Sequence, residues 1–183
     1  MLTKLIVCLT GMPGAGKSTI ADGLKLKGYT IINLGNAVRR EASSRNLEPT
    51  GLNLGKLMLE LREKNGQGAI AELIVPQIIN SQSDIIVIDG IRSNAEILVL
   101  RKHGYVKLLA IHASTNTRFS FLKLRGRSDD PQTQENFEER DNREIGVGIS
   151  NSIALSDETI SNNNFTKDQL IDHALLIIKS WIS

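Results

Sequence analysis

LIVCLTGMPGAGKST, residues Leu5 to Thr19, decides how the rest of the chain is read. A short apolar run ends at Gly11, four residues intervene, and Gly16-Lys17-Ser18 follows, opening a helical pattern. This is the spacing of a P-loop. Glycines let the backbone curl so that its N–H groups face phosphate, the lysine reaches the outer phosphates, and the hydroxyl ligates magnesium. Lys17 and Ser18 take those roles, and the following helix adds its positive end. The candidate phosphate-binding set is Gly11, Pro13, Gly14, Ala15, Gly16, Lys17, Ser18 and Thr19. A chance match in a glycine-rich turn is the competing reading, and the strand-loop-helix context argues against it.

Outward from this loop, short β-branched runs recur at Leu5–Leu9, Thr30–Ile32, Ile85–Ile88, Val106–Ile111 and Thr159–Ile160. Helical patterns separate them, which predicts a five-stranded parallel sheet buried on both faces, a three-layer αβα arrangement. Leu54, Leu57, Met58 and Leu61 have the spacing of an amphipathic helix. Ser93-Asn94-Ala95-Glu96 and Thr166-Lys167-Asp168-Gln169 read as capping boxes, the second with Phe165 and Leu170 at staple positions. Asp130-Pro131 reads as an N-cap and first-turn proline before the charged segment 132–146. Two stretches do not belong to the sheet: a largely helical insert over 35–80, and RGRSDDPQ, within a short lid over 124–132. One domain over 1–183 is expected.

Composition narrows the function classes. Lys plus Arg is 22 against 20 for Asp plus Glu, so no overall charge case exists for a nucleic-acid partner. Cys8, the single cysteine, lies in the first apolar run and reads as a buried strand residue. One cysteine excludes an intrachain disulfide and a four-cysteine zinc site. No run approaches the ~18 apolar residues of a membrane span, and the first residues lack the apolar region of a secretion signal. A cytoplasmic protein is expected.

Asp89 ends the buried run IIVIDGIR, where a carboxylate can hold magnesium beside Ser18; the alternative is a strand-end turn residue. Several arginines follow, and planar guanidinium groups suit the spread charge of a moving phosphoryl group. Arg39 and Arg40 lie in the insert, Arg92 follows Asp89, and Arg125 and Arg127 bracket Gly126. Arg140 and Arg143 have carboxylates four residues away, Glu144 and Glu139, so a solvated surface pair competes there.

The order of P-loop, LGNAVRR, IDGIR, RGRSDD and SNNNFTKDQL resembles the nucleoside-monophosphate kinases. More closely, it is similar to the adenylate-kinase-related proteins known mainly from archaeal genomes. The likeness runs from Leu5 to about Ile178. GMPGAGKS with LEPT, DGIRS, RGRSDDP and ERDNREIGVGI is far more specific than the P-loop alone. The resemblance implies ATP and Mg2+ as cofactors and AMP as acceptor. Gly35, Asn36 and Arg39, within GNAVR, would meet the acceptor phosphate, as would Gly90 and Arg92. Arg125 and Arg127 would sit over the donor phosphates, Arg140 would reach the transferred group, and Asn163 lies in the turn beside the donor base. Lys17, Asp89, Arg127 and Arg140 form the implied catalytic set, with Ser18 and Asp89 on the metal. Asn36 departs from the family's Asp, and DGIR is one residue shorter than the adenylate kinase pattern and lacks its proline.

Transfer from ATP to a nucleoside monophosphate needs no general base, because the acceptor phosphate is already nucleophilic; positioning and charge neutralisation suffice. A dephospho-CoA-kinase-like enzyme would phosphorylate a hydroxyl and use Asp89 as base. A third reading is an ATP-dependent assembly factor, which keeps a protein or ribonucleoprotein partner open.

Overall fold

The computed structural model describes residues 4–127 and 130–182. Five strands form one sheet in the order β2-β3-β1-β4-β5: β1 (Leu5–Thr10), β2 (Thr30–Asn33), β3 (Ile85–Ile91), β4 (Tyr105–His112) and β5 (Glu158–Ser161). All pairings are parallel. Every expected run is a strand, each extended by one to three residues. Parallel strands need crossovers, and helices supply them: α1 (Lys17–Leu26), α2 (Leu34–Ser44), α3 (Gly51–Asn65), α4 (Ala69–Glu72), α5 (Val75–Asn80), α6 (Asn94–Leu100), α7 (Thr115–Arg125), α8 (Gln134–Val147), α9 (Ile149–Ala154) and α10 (Lys167–Ser180).

Alternation along β1 divides the core in two. Ile6 and Cys8 face a cluster built with α2, α3 and α6, whereas Leu5, Val7 and Leu9 face one built with α1 and α10. Cys8 is fully buried, as its run implies, and burial pushes its thiol pKa up. No helix of the described residues is long and apolar enough to cross a membrane.

The segment between β2 and β3 is helical, as expected, and α2 to α5 fill it. Leu54, Leu57 and Leu61 of α3 are buried, and Met58 packs against the same cluster. Arg62, on the same helix, reaches across to Glu96 at 3.0 Å, with side chains 3% and 1% exposed. Glu96 completes the Ser93 capping box, and its other oxygen accepts from the backbone N–H of Arg92 at 2.7 Å. One buried carboxylate therefore fixes both the insert and the turn after β3. The Thr166 capping box also forms.

Asp130 is a correction. The helix after it is capped by Thr133, whose side chain accepts from the Asn136 N–H, and begins at Gln134. Asp130 is instead buried and accepts from Arg125, from the Arg127 N–H at 3.0 Å and from Arg140 at 3.3 Å. Four bonds from three residues outweigh the cap pattern. The expected lid over 124–132 includes Ser128 and Asp129, which lie outside the described residues.

Removing the Glu96 carboxylate strands Arg62 in the core and opens a helix cap. Glu96→Ala should cost ~3–5 kcal/mol, the range for breaking a buried pair. Urea unfolding measures it, and a loss below ~1 kcal/mol would contradict the assignment.

Candidate functional site

The site lies at the carboxyl edge of the sheet, where the chain leaves β1 on one side and β3 on the other. Register places Asp89 opposite both Leu9 and Asn33. The register then slips between Leu9 and Thr10, so that Thr10 pairs with Ile91, and the Thr10 hydroxyl donates to the Ile91 carbonyl at 3.0 Å. Because β1 and β3 run parallel, the P-loop and the Asp89–Arg92 turn leave the sheet at one edge.

The loop needs its glycines for space as much as for curvature. Gly11 has φ +138°, and a Cβ there would lie 2.1 Å from the Ile111 carbonyl oxygen. Gly16, at φ +112°, would meet the Asn162 amide nitrogen at 2.5 Å. Both positions exclude a side chain on backbone conformation and on contact. The Asn162 amide donates to the Ala15 carbonyl at 2.9 Å and so pins the loop to the segment after β5.

A cavity of about 460 Å³ opens over this edge, within the usual size for a small-molecule site. Its lining includes Gly11, Pro13, Gly14, Gly16, Lys17, Ser18 and Thr19 from the loop and α1. Gly35, Arg39, Asp89, Gly90 and Arg92 line it from the β2–β3 side, and Arg125 of α7, Arg127 just beyond it and Arg140 of α8 from the other. Of the residues selected from the sequence, Ala15, Asn36, Arg40, Arg143 and Asn163 are not in that lining. Ala15 is buried in the core. Asn36 accepts from Arg39 at 3.3 Å, and Asn163 accepts from the Ser114 N–H at 2.8 Å. From the same turn it is Asn162 that lines the cavity.

Asn33, which sequence reading passed over, organises the acidic side. Its Oδ1 caps α2 by accepting from the Asn36 N–H at 2.8 Å, and its Nδ2 donates to Asp89 Oδ2 at 2.6 Å. Asp89 Oδ1 is buried with no hydrogen-bond partner. Such an oxygen fits a hard cation or an incoming proton donor. Asp89 with Ser18 fits a divalent cation that takes its other ligands from a bound phosphate and water. The described residues contain no cluster of three or more His, Cys, Asp or Glu placed for an all-protein metal cage.

Lys17 donates to the Gly11 and Met12 carbonyls, the second at 3.1 Å. Burial lowers its pKa to about 8, against an opposing pull from Asp89. Burial likewise raises the Asp89 carboxyl, while Lys17, Arg92 and the Asn33 hydrogen bond oppose that rise. The two groups are held in too little water for their charges, a setting that a bound polyanion and cation would relieve.

The arginines are engaged. Arg92 Nε pairs with Glu144 of α8 at 2.6 Å, and that carboxylate raises the Arg92 pKa. Glu144 therefore points into the cavity toward Arg92, a role no i+4 pattern shows. Arg143 donates to the Gly51 carbonyl at 3.3 Å, joining α8 to the insert. Burial alone would raise the Asp130 carboxyl, but Arg125, the Arg127 N–H and Arg140 outweigh it and hold the pKa below its usual value.

A central parallel sheet, a P-loop at its carboxyl edge and an arginine-lined cavity above define a P-loop protein of kinase-like fold. The chain belongs to the UPF0200 family: a UPF0200 protein of Hyperthermus butylicus is 40% identical over 159 residues, covering 87% of this chain and 86% of that protein. Residues 10–138 match the family model described as an AAA domain. Among solved structures, TT1252 from Thermus thermophilus superposes with a TM-score of 0.73 at 15% identity, covering 99% of both chains. Shikimate kinase from Acinetobacter baumannii, in complex with shikimate, gives 0.60 at 19% identity over 98% of this chain and 95% of its own. These likenesses establish the fold.

Lys17 should titrate near pH 8 in the ligand-free protein, well below exposed lysines at ~10.4. The sign follows from burial: the folded protein releases this proton before the unfolded chain does. For this group, stability therefore rises as pH climbs from about 8 toward 10.5. NMR of labelled lysine side chains measures the titration, and a Lys17 midpoint above 10 would contradict it.

Proposed function

We propose that the chain is a phosphotransferase that carries the terminal phosphoryl group of ATP, bound with Mg2+, to a nucleoside monophosphate, AMP first. The observation that carries this reading is the cavity itself. The Gly11–Thr19 loop lines it, Lys17 and Asp89 share its wall, and arginines reach it from two sides of the sheet. The loop N–H groups and Lys17 hold the donor phosphates, and Arg39 and Arg92 hold the acceptor phosphate. Arg125, Arg127 and Arg140 close over the group in transit, with 124–132 as a short lid and 35–80 as the acceptor cover. Ser18 and Asp89 hold Mg2+, which supplies charge neutralisation on the donor oxygens.

An acceptor phosphate oxygen attacks the γ-phosphorus, and the bond between that phosphorus and the β–γ bridging oxygen breaks. With AMP, two ADP molecules result. No proton need be removed from the acceptor, so the chain's task is alignment and charge compensation. The kinase-like fold supports this reading, and so does the orphaned Asp89 oxygen in the cavity that Lys17 also lines.

That same oxygen favours a second reading. A buried carboxylate held through one oxygen by Asn33 has its other oxygen open to accept a proton from a hydroxyl. The acceptor would then be an alcohol, as in dephospho-CoA. ADP formation with a panel of nucleoside monophosphates, with dephospho-CoA and with no acceptor separates the readings. AMP-dependent turnover is expected. ADP formed only with the hydroxyl acceptor would replace the first reading by the second. Phosphate release indifferent to either acceptor would support an ATP-driven assembly role.

Arg39→Ala should raise the acceptor KM ~10-fold or more, as expected for losing a charge-assisted hydrogen bond, with donor binding little changed. Arg127→Ala should act mainly on kcat, because its contact strengthens as charge moves. Steady-state kinetics on the two variants test this split; an Arg39→Ala enzyme with wild-type acceptor KM would remove Arg39 from the acceptor site.

A further inference from the structure

Arg118 is a buried cation that the proposed transfer does not use. It lies on α7, 5% exposed, and its Nη1 donates to the Pro13 carbonyl of the P-loop at 3.1 Å. The same guanidinium grips Asp141 of α8 through two bonds, 2.9 Å to Oδ1 and 2.5 Å to Oδ2. Its central carbon sits 4.8 Å from the ring centroid of the fully buried Phe137. A guanidinium held on a fork and against a ring has one orientation, so its remaining bond is fixed in direction.

That bond falls on the Pro13–Gly14 peptide. Gly14 has φ +83°, and a Cβ there would lie 2.6 Å from the backbone oxygen of Arg118. Backbone and side chain of Arg118 therefore both press on this one peptide. A trans peptide is planar, with its C=O and N–H on opposite sides. Holding the Pro13 oxygen turns the Gly14 N–H away from Arg118. Gly14 lines the cavity, whereas the next N–H, that of Ala15, is spent on the Met12 carbonyl at 3.1 Å.

We infer that Arg118, clamped by Asp141, is a positioning residue for the donor phosphates. It sets the Pro13–Gly14 peptide so that the Gly14 N–H serves the phosphate cradle. Through Asp141 it also fixes this peptide to α8, the helix that carries Arg140 and Glu144. The inference rests on the reading that the Gly11–Thr19 loop holds the donor.

Calorimetric binding of MgADP and MgATP to the wild type, Arg118→Met, Arg118→Lys, Asp141→Asn and the Arg118→Met/Asp141→Asn double variant tests it. Measurements run below each variant's melting temperature. Arg118→Met should weaken both nucleotides ~10-fold, the scale of one charge-assisted bond, and leave the acceptor KM within about twofold. Arg118→Lys should recover part of that loss, since an ammonium can still reach the Pro13 oxygen. The double variant should bind no worse than Arg118→Met, because both changes act on one peptide. If Arg118→Met does not fold, Asp141→Asn carries the test, with an expected weakening of about threefold. A lowered melting temperature with unchanged MgADP affinity in the folded variants would overturn the inference. Failure of the wild type to bind MgADP would instead overturn the proposed donor site.

Discussion

Lys17 and Asp89 are two charges that burial disfavours, and the carboxyl edge of the sheet is arranged to keep them together. Burial lowers one pKa and raises the other, so each is the other's main support. The parallel pairing of β1 with β3 puts the P-loop after β1 and the Asp89 end of β3 at one edge of the sheet. Asn33 then orients the carboxylate from the neighbouring strand. A site of this kind gains charge compensation from a phosphate and a cation together, which is the setting phosphoryl transfer requires.

α8 is the second organising element. On one face it presents Phe137, Arg140, Asp141 and Glu144, spaced three and four residues apart. Phe137 enters the core, Asp141 holds Arg118, Arg140 reaches Asp130 and Glu144 takes Arg92. One helix thus touches the P-loop's support, the arginine-rich turn and the arginine after β3. A shift of α8 would be felt at all of these places, because each contact is at least partly buried.

The strands and most helix starts were legible because their signals are local. β-branched runs, the 3.6-residue period of α3 and two capping boxes each depend on residues within a turn or two. The P-loop was legible for the same reason. Asp130-Pro131 failed because a cap pattern looks only forward, whereas the donors to Asp130 lie three and five residues before it and on α8 ten residues after it. Arg118 and Asn33 were invisible for a related reason: their decisive partners lie 23 and 56 residues away, and the bond from Asn162, within the turn singled out for the donor base, spans 147. Glu144 was read as an i+4 partner of Arg140, yet its pair with Arg92 exists only once α8 docks on the turn after β3. Residue type marked the chemistry of the site, and tertiary contacts assigned the partners.

Binding of bis(adenosine) pentaphosphate tests the central claim most directly, because this molecule joins a donor and an acceptor nucleotide through one phosphate chain. Calorimetry on the wild type and on Lys17→Ala reads it in a single experiment. The account predicts one molecule bound per chain in the wild type, tighter than either ATP or AMP alone, and loss of that binding in Lys17→Ala. Binding no tighter than ATP alone, or equal in the two proteins, would contradict a phosphotransfer cavity that receives two nucleotides across Lys17.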